Sequence, residues 1–207
     1  MTPRAEMTRL GVLADTHMPH RLAQVPPTVI ELLAGAEVDL ILHAGDVDDP
    51  RFLEPLGRIA PVIAVRGNIH PQDLSGGGAE LPFHVALSLC GRRLVLTHGH
   101  RRGPLGFWVK FALYGAYRLR LIDRDGVNRH IAHHLCRRFG WADVVVFGHS
   151  HRPFQRWIDG TFFFNPGAVL QDDEQPPSVG LLCLSPDTVE ASIVPLSQGD
   201  EYAGQSH

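Results

Sequence analysis

VDLILHAGDVDDPRFLEPLGRIAPVIAVRGN, Val38 to Asn68, decides the fold. An apolar run of strand length, VDLILHA, is followed by PRFLEPLGRI, whose apolar residues recur at helical spacing behind a proline suited to a first helical turn. A second strand-like run, PVIAV, closes the unit. Strand, helix and strand in this order imply two parallel neighbours in one sheet. Upstream, LGVLA at 10–14 and the proline-led helical segment PPTVIELLAG repeat the arrangement.

Downstream of residue 80 the pattern changes. LSLCGRRLVL, FQRWIDGTFFF and LLCLSPDTVEASIV each read as two strands around a tight turn, with Asp159-Gly160 as the clearest two-residue hairpin. HVALSL (84–89), RLVLT (93–97) and DVVVFG (143–148) are further strands, and helix is expected around 104–140. The fold class is therefore α/β: two mixed β-sheets packed as a sandwich flanked by helices.

The chain has 207 residues, 44% hydrophobic and 20% charged, with a net charge of -3. No linker divides it, so one domain is expected over 1–207, with a polar tail at 198–207 read as disordered. The charge balance argues against general nucleic-acid binding. No apolar run reaches 18 residues and none near the start resembles a signal sequence, so neither a transmembrane segment nor secretion is expected. Cys90, Cys136 and Cys183 are odd in number and widely spaced, which suits reduced core thiols and a cytoplasmic setting.

The polar residues at the strand ends carry the chemistry. LADTH supplies Asp15 and His17, LHAGD supplies Asp46, AVRGN supplies Asn68, LTHGH supplies His98 and His100, and FGHSH supplies His149 and His151. Singly, each reads as a cap, a turn or a solvated residue. Together they are a constellation of metal-ligand types at the edge where α/β sheets assemble sites, with Gly45, Gly67, Gly99 and Gly148 beside them. Nitrogen and oxygen donors without thiolate suit divalent manganese, iron, zinc, cobalt or nickel. No Ser-His-Asp or Cys-His arrangement competes.

D-X-H, G-D, G-N, H-G-H and G-H-X-H in this order, with NPGA after them, resemble the calcineurin-like metallophosphoesterases, in particular their small bacterial and archaeal phosphodiesterase branch. The resemblance spans roughly residues 9 to 195. It implies that Asp15, His17, Asp46 and His151 bind one metal and that Asp46, Asn68, His98 and His149 bind the other, with Asp46 bridging. Two divalent ions, manganese first among them, would drive in-line attack of a metal-bound hydroxide on a small phosphoester, most readily a diester. His100 would contact phosphate or support a ligand. Many larger relatives carry histidine directly after the G-N asparagine; here Ile69 stands there, with His70 next as a substitute, so slow hydrolysis that depends on the leaving group is expected.

RRGPLGFWVKFALYGAYRLRLIDRDG, Arg101 to Gly126, departs from the short connection of the small relatives. It reads as an added helix packed on the domain, or as a wall of the site in which Arg101, Trp108 and Tyr114 contact substrate. A hydrolase of a nucleotide-linked lipid, homo-oligomer formation, or surface contact through 104–122 would use the same residues. His130, His133 and His134 read as a polar helix face. The resemblance also includes Vps29, a retromer subunit in which this fold serves protein assembly, so a metal-binding scaffold is the alternative to an enzyme.

Overall fold

The computed structural model describes residues 7–68, 77–100, 108, 112, 115, 116, 119, 125–170 and 175–196. Ten strands and three α-helices follow in chain order: β1 (Thr8–Leu13), α1 (Pro27–Gly35), β2 (Leu40–His43), α2 (Glu54–Gly57), β3 (Val62–Ala64), β4 (His84–Leu89), β5 (Arg92–Thr97), α3 (Gly126–Phe139), β6 (Val144–Val146), β7 (Pro153–Ile158), β8 (Thr161–Pro166), β9 (Ser178–Leu184) and β10 (Val189–Pro195). They form two mixed five-stranded sheets, ordered β10-β9-β1-β2-β3 and β4-β5-β6-β8-β7.

The expected parallel unit is present: β1 pairs with β2 and β2 with β3, all parallel. The C-terminal hairpin β9-β10 returns to complete the same sheet, antiparallel to β1. In the second sheet β5, β6 and β8 are parallel, with antiparallel β4 and β7 at the edges. Asp159 and Gly160 both adopt positive φ (48° and 82°), as do Cys90 and Gly91 (51° and 75°), the signature of two-residue hairpins whose twist matches their strands.

Period-two alternation sorts the side chains into layers. Leu10, Val12, Leu42, Leu94, Leu96, Val144, Val146, Phe162 and Phe164 interdigitate between the sheets. Leu13 and Ile41 point the other way, onto Val29 and Leu33 of α1 and Leu56 of α2. Val95, Val145 and Phe163 pack under Ile131, Leu135 and Phe139 of α3. Burying Leu33 or Phe163 alone contributes roughly 2–3 kcal/mol.

Two expectations are corrected. PRFLEPLGRI is no continuous helix: a 3-10 turn at Pro50–Leu53 gives way to the single α turn of α2, because Pro55 has no N–H to continue the ladder back to Arg51. The three cysteines are free but only half-buried, at the margins of the core. Partial burial raises the thiol pKa values of Cys136 and Cys183. Of the helix expected around 104–140, α3 is described from Gly126 onward. Trp108 is helical and 69% exposed, whereas Arg101, Tyr114, Ile69, His70 and the 198–207 tail lie outside the described residues. On α3 His133 is exposed and His130 and His134 are half-buried. No helix among the described residues is long and apolar enough to cross a membrane.

Candidate metal centre

The registers Leu13↔His43↔Ala64 and Leu96↔Val146↔Phe164 bring the ends of five parallel strands to one edge of the sandwich. The loops leaving β1, β2, β3, β5 and β6 meet there and are stitched by main-chain bonds. Asp15 N–H donates to Gly45 C=O (3.0 Å), His17 N–H to Asp46 C=O (2.8 Å), and Gly148 N–H to His98 C=O (3.2 Å). Eight non-glycine described residues have positive φ, and five of them are Asp15 (54°), His17 (48°), Asp46 (56°), His149 (74°) and His151 (56°). Such strain persists where surrounding structure over-determines it and concentrates at functional sites.

Asp15, His17, Asp46 and His151 each offer one donor atom, all lying within 4.8 Å of one another, a group able to hold a metal ion. His17 Nε2 stands 3.5 Å from Asp46 Oδ2, and His151 Nε2 stands 3.7 Å from Asp15 Oδ1. Asp15 is fully buried, and its carboxylate accepts the His149 N–H at 3.1 and 3.3 Å.

On the other side of Asp46 a second group converges. His98 donates from Nδ1 to the Ala44 carbonyl (2.8 Å), which can only accept, so its Nε2 lone pair faces the site. That Nε2 lies 3.4 Å from Asp46 Oδ1 and 3.3 Å from His149 Nδ1. One arm of the Asn68 amide stands 3.1 Å from each of these imidazole nitrogens and 3.2 Å from Asp46 Oδ2. The arm is assigned as nitrogen, but half a turn of the amide puts its oxygen there. Donor atoms about 2.1 Å from one cation are separated by roughly 3.0–3.4 Å, which is the spacing of this second group. The residues fit a cation pair sharing Asp46. His100 stands at the rim, its ring 5.4 Å from His98 and 6.1 Å from His149.

Three features were not singled out by sequence reasoning. Asp48 is buried beside His17 and bonded to His20 (His20 Nδ1 to Oδ2, 2.8 Å). His43 is fully buried against the Thr16 hydroxyl (3.1 Å), and burial lowers its pKa to about 3. The third is a polar network behind the His149–His151 loop. Asn165 donates to Gly148 C=O (2.9 Å) and Ser150 Oγ (3.1 Å), Ser150 donates to Asn128 Oδ1 (2.7 Å), and Asn128 donates to Arg152 C=O (3.0 Å). Side chains thus satisfy a backbone that the left-handed ligands have taken out of any ladder. The NPGA motif contains Asn165, but Asn128 carried no local signal. Asp49, also buried, is neutralised by Arg51, whose hydrogen bonds hold its carboxyl below the usual range.

The model of the calcineurin-like phosphoesterase superfamily domain matches residues 8–187. A probable metallophosphoesterase of Methanothermobacter thermautotrophicus is 31% identical over 187 residues, spanning 89% of this chain and 91% of that protein. Phosphodiesterase YfcE of Escherichia coli is 29% identical over 196 residues, spanning 85% and 88%. Among solved structures, Vacuolar Protein Sorting 29 from Cryptosporidium parvum superposes with a TM-score of 0.65 at 22% identity, covering 94% of each chain. That likeness is one of fold.

Proposed function

Because the chain belongs to the calcineurin-like phosphoesterase superfamily, we propose that it is a binuclear metal-dependent phosphoesterase acting on diesters. The observation that carries this reading is the pair of donor groups sharing Asp46, each at ligand spacing. Asp15, His17, Asp46 and His151 hold one ion; Asp46, Asn68, His98 and His149 hold the other. Manganese is the first choice, with iron, zinc, nickel or cobalt compatible with the same donors. When bound, the ions polarise the phosphoryl group and acidify water.

The chain's own residues do the rest. Asp15 and Asp46, buried without a lysine or arginine against them among the described ion pairs, supply negative charge while neutral Asn68 and the imidazoles add donors without charge. The centre with its two ions therefore keeps a positive surplus that attracts a phosphate ester. His98, oriented through Ala44 C=O, and Asn68 fix the phosphate-facing side, and His100 at the rim is placed to hold a phosphoryl oxygen. Ile69 cannot deliver a proton to a departing oxygen, so esters with acidic leaving groups are favoured unless His70 substitutes. Arg101, Trp108 and Tyr114 are proposed substrate contacts, residues 1–207 are read as one domain in the cytoplasm, and 104–122 is the proposed surface for a partner or second copy.

The Vps29 likeness bears on fold, and a scaffold has no need of seven donors in two shared groups, so the enzyme reading stands. Hydrolysis of bis-p-nitrophenyl phosphate by metal-stripped protein reloaded with manganese, beside Asp46→Asn, tests it. Metal-dependent turnover absent from the variant is expected. No turnover with manganese, nickel, cobalt or zinc in protein that binds them would overturn the enzyme reading.

A further inference from the structure

We propose that Asp48 is the positioning carboxylate of His17, fixing which imidazole nitrogen faces the candidate metal centre, and that His20 holds Asp48 in place. The inference rests on the binuclear reading above and adds a residue that is not itself a proposed ligand.

Asp48 is 3% exposed, and no lysine or arginine pairs with it among the described residues. Its Oδ2 accepts from His20 Nδ1 at 2.8 Å, while Oδ1 is buried with no hydrogen-bond partner. That orphan oxygen faces His17 Nδ1 at 3.7 Å. The opposite nitrogen of the same ring, Nε2, faces Asp46 Oδ2 at 3.5 Å, and the ring lies 5.9 Å from that of His151. His17 thus stands between two carboxylates with different surroundings. One belongs to the donor group; the other is turned away from it and already committed to His20.

The loops carrying the pair are locked together. His17 N–H donates to Asp46 C=O (2.8 Å), Asp49 N–H to Met18 C=O (3.0 Å), and Gly78 N–H to Asp48 C=O (3.1 Å). Gly78 is pressed so close that a Cβ there would sit 2.9 Å from that carbonyl oxygen. Asp48 therefore cannot drift from His17 without breaking bonds on both sides.

The chemistry follows from what a carboxylate can do. Ionised, it only accepts, so the nitrogen facing it must carry the proton. Nδ1–H toward Asp48 leaves the Nε2 lone pair toward Asp15, Asp46 and His151. A carboxylate behind a ligating histidine fixes the tautomer and raises ligand basicity, and losing it typically weakens metal binding about 10–100-fold. His20, with 43% of its side chain exposed, contributes no donor to either group. Its role is to hold the second oxygen so that Oδ1 points at His17.

The test uses the full chain labelled with 15N-histidine. Long-range proton–nitrogen correlation of the metal-free protein is expected to show His17 protonated at Nδ1, and Asp48→Asn to show a mixture of tautomers. Manganese titration followed by electron paramagnetic resonance should give a dissociation constant raised about 10–100-fold in Asp48→Asn, and by less in His20→Ala. His17 protonated at Nε2 in the wild-type chain overturns the proposal. So does an Asp48→Asn chain that loses affinity with its tautomer unchanged, since that is loss of charge alone, or one that keeps wild-type affinity. If Asp48→Asn does not fold, the wild-type tautomer decides by itself. If the wild-type chain binds no manganese, the binuclear reading fails, and the tautomer of metal-free His17 still decides this one.

Discussion

Gly67→Ala is the sharpest perturbation of the shared ligand. Gly67 precedes Asn68 and is packed so closely on the β2 loop that an added Cβ would overlap Asp46 Oδ1 and the Asp46 amide nitrogen and lie 2.7 Å from Asp46 Cα, where ordinary contact begins near 3.4 Å. Two of these three atoms are backbone, so no rotamer change relieves the overlap. Asp46 or the Gly67-Asn68 segment must retreat by about 0.7 Å at least, breaking the bond of 2.6 Å from Asn68 N–H to Asp46 Oδ1. Overpacking of this kind costs about 1–3 kcal/mol, or roughly 2–12 °C in Tm at about 2–4 °C per kcal/mol. Because Asp46 belongs to both donor groups, both ions are lost together, and displacement on the scale of 1 Å costs on the order of a hundredfold in rate. Calorimetric manganese titration and thermal melts with and without metal read both effects. Gly35→Ala is the control: it lies at the end of α1 with nothing within 4 Å, so it should leave binding unchanged and stabilise by about 0.5–1 kcal/mol. A Gly67→Ala chain with wild-type affinity and melting temperature would refute the claim that this approach fixes Asp46.

Three further outcomes are expected. His43 is buried and neutral with its pKa lowered to about 3, whereas the unfolded chain protonates it near 6.5. Below about pH 6.5 the unfolded state therefore binds the extra proton, and stability falls by up to about 1.4 kcal/mol per pH unit until the folded group titrates near 3; His43→Gln should flatten that decline in denaturant titrations from pH 7 to 4. Asn165→Leu strands Gly148 C=O and Gly167 N–H, which the wild-type amide serves at 2.9 Å each; a loss of about 2–4 kcal/mol with weakened manganese binding is expected in melts and titrations, and full retention of affinity would show that the loop holds its shape unaided. Deleting 104–122 should alter preference among diesters while sparing bis-p-nitrophenyl phosphate if the segment contacts substrate, and equal loss on all substrates would identify it as support.

The architecture was legible wherever one local rule sufficed. Period-two alternation in LGVLA and RLVLT announces strands with two different faces, and Asp159-Gly160 and Cys90-Gly91 announce their turns. Where rules competed, reading was less secure: helical spacing in PRFLEPLGRI concealed Pro55, whose missing N–H reduces the segment to two short turns. The donors were legible because each stands directly after an apolar run. Asp48 was not, because its meaning depends on His17, 31 positions away, and on loops joined only by the register of β1 and β2. Asn128, Ser150 and Asn165 likewise become a unit only when α3, the β6 loop and β8 pack together.

One property of the centre could not be read from residue types, and it says most about why the types are there. Left-handed backbone costs an L-residue about 1–2 kcal/mol relative to the ordinary helical region, and glycine escapes that cost. At Asp15, His17, Asp46, His149 and His151 the chain has aspartate or histidine in that region, while it places glycine at Gly45 and Gly99, where φ is 97° and 98°. A chain indifferent to these side chains would be more stable with glycine at all five positions. The local cost is offset only if the carboxylates and imidazoles do something there that glycine cannot, and the left-handed turn is what lets neighbours two apart, such as His149 and His151, reach different donor groups. Replacing His149 by glycine should therefore relax the loop without destabilising the metal-free fold and still remove a donor, separating strain from ligation in a single variant.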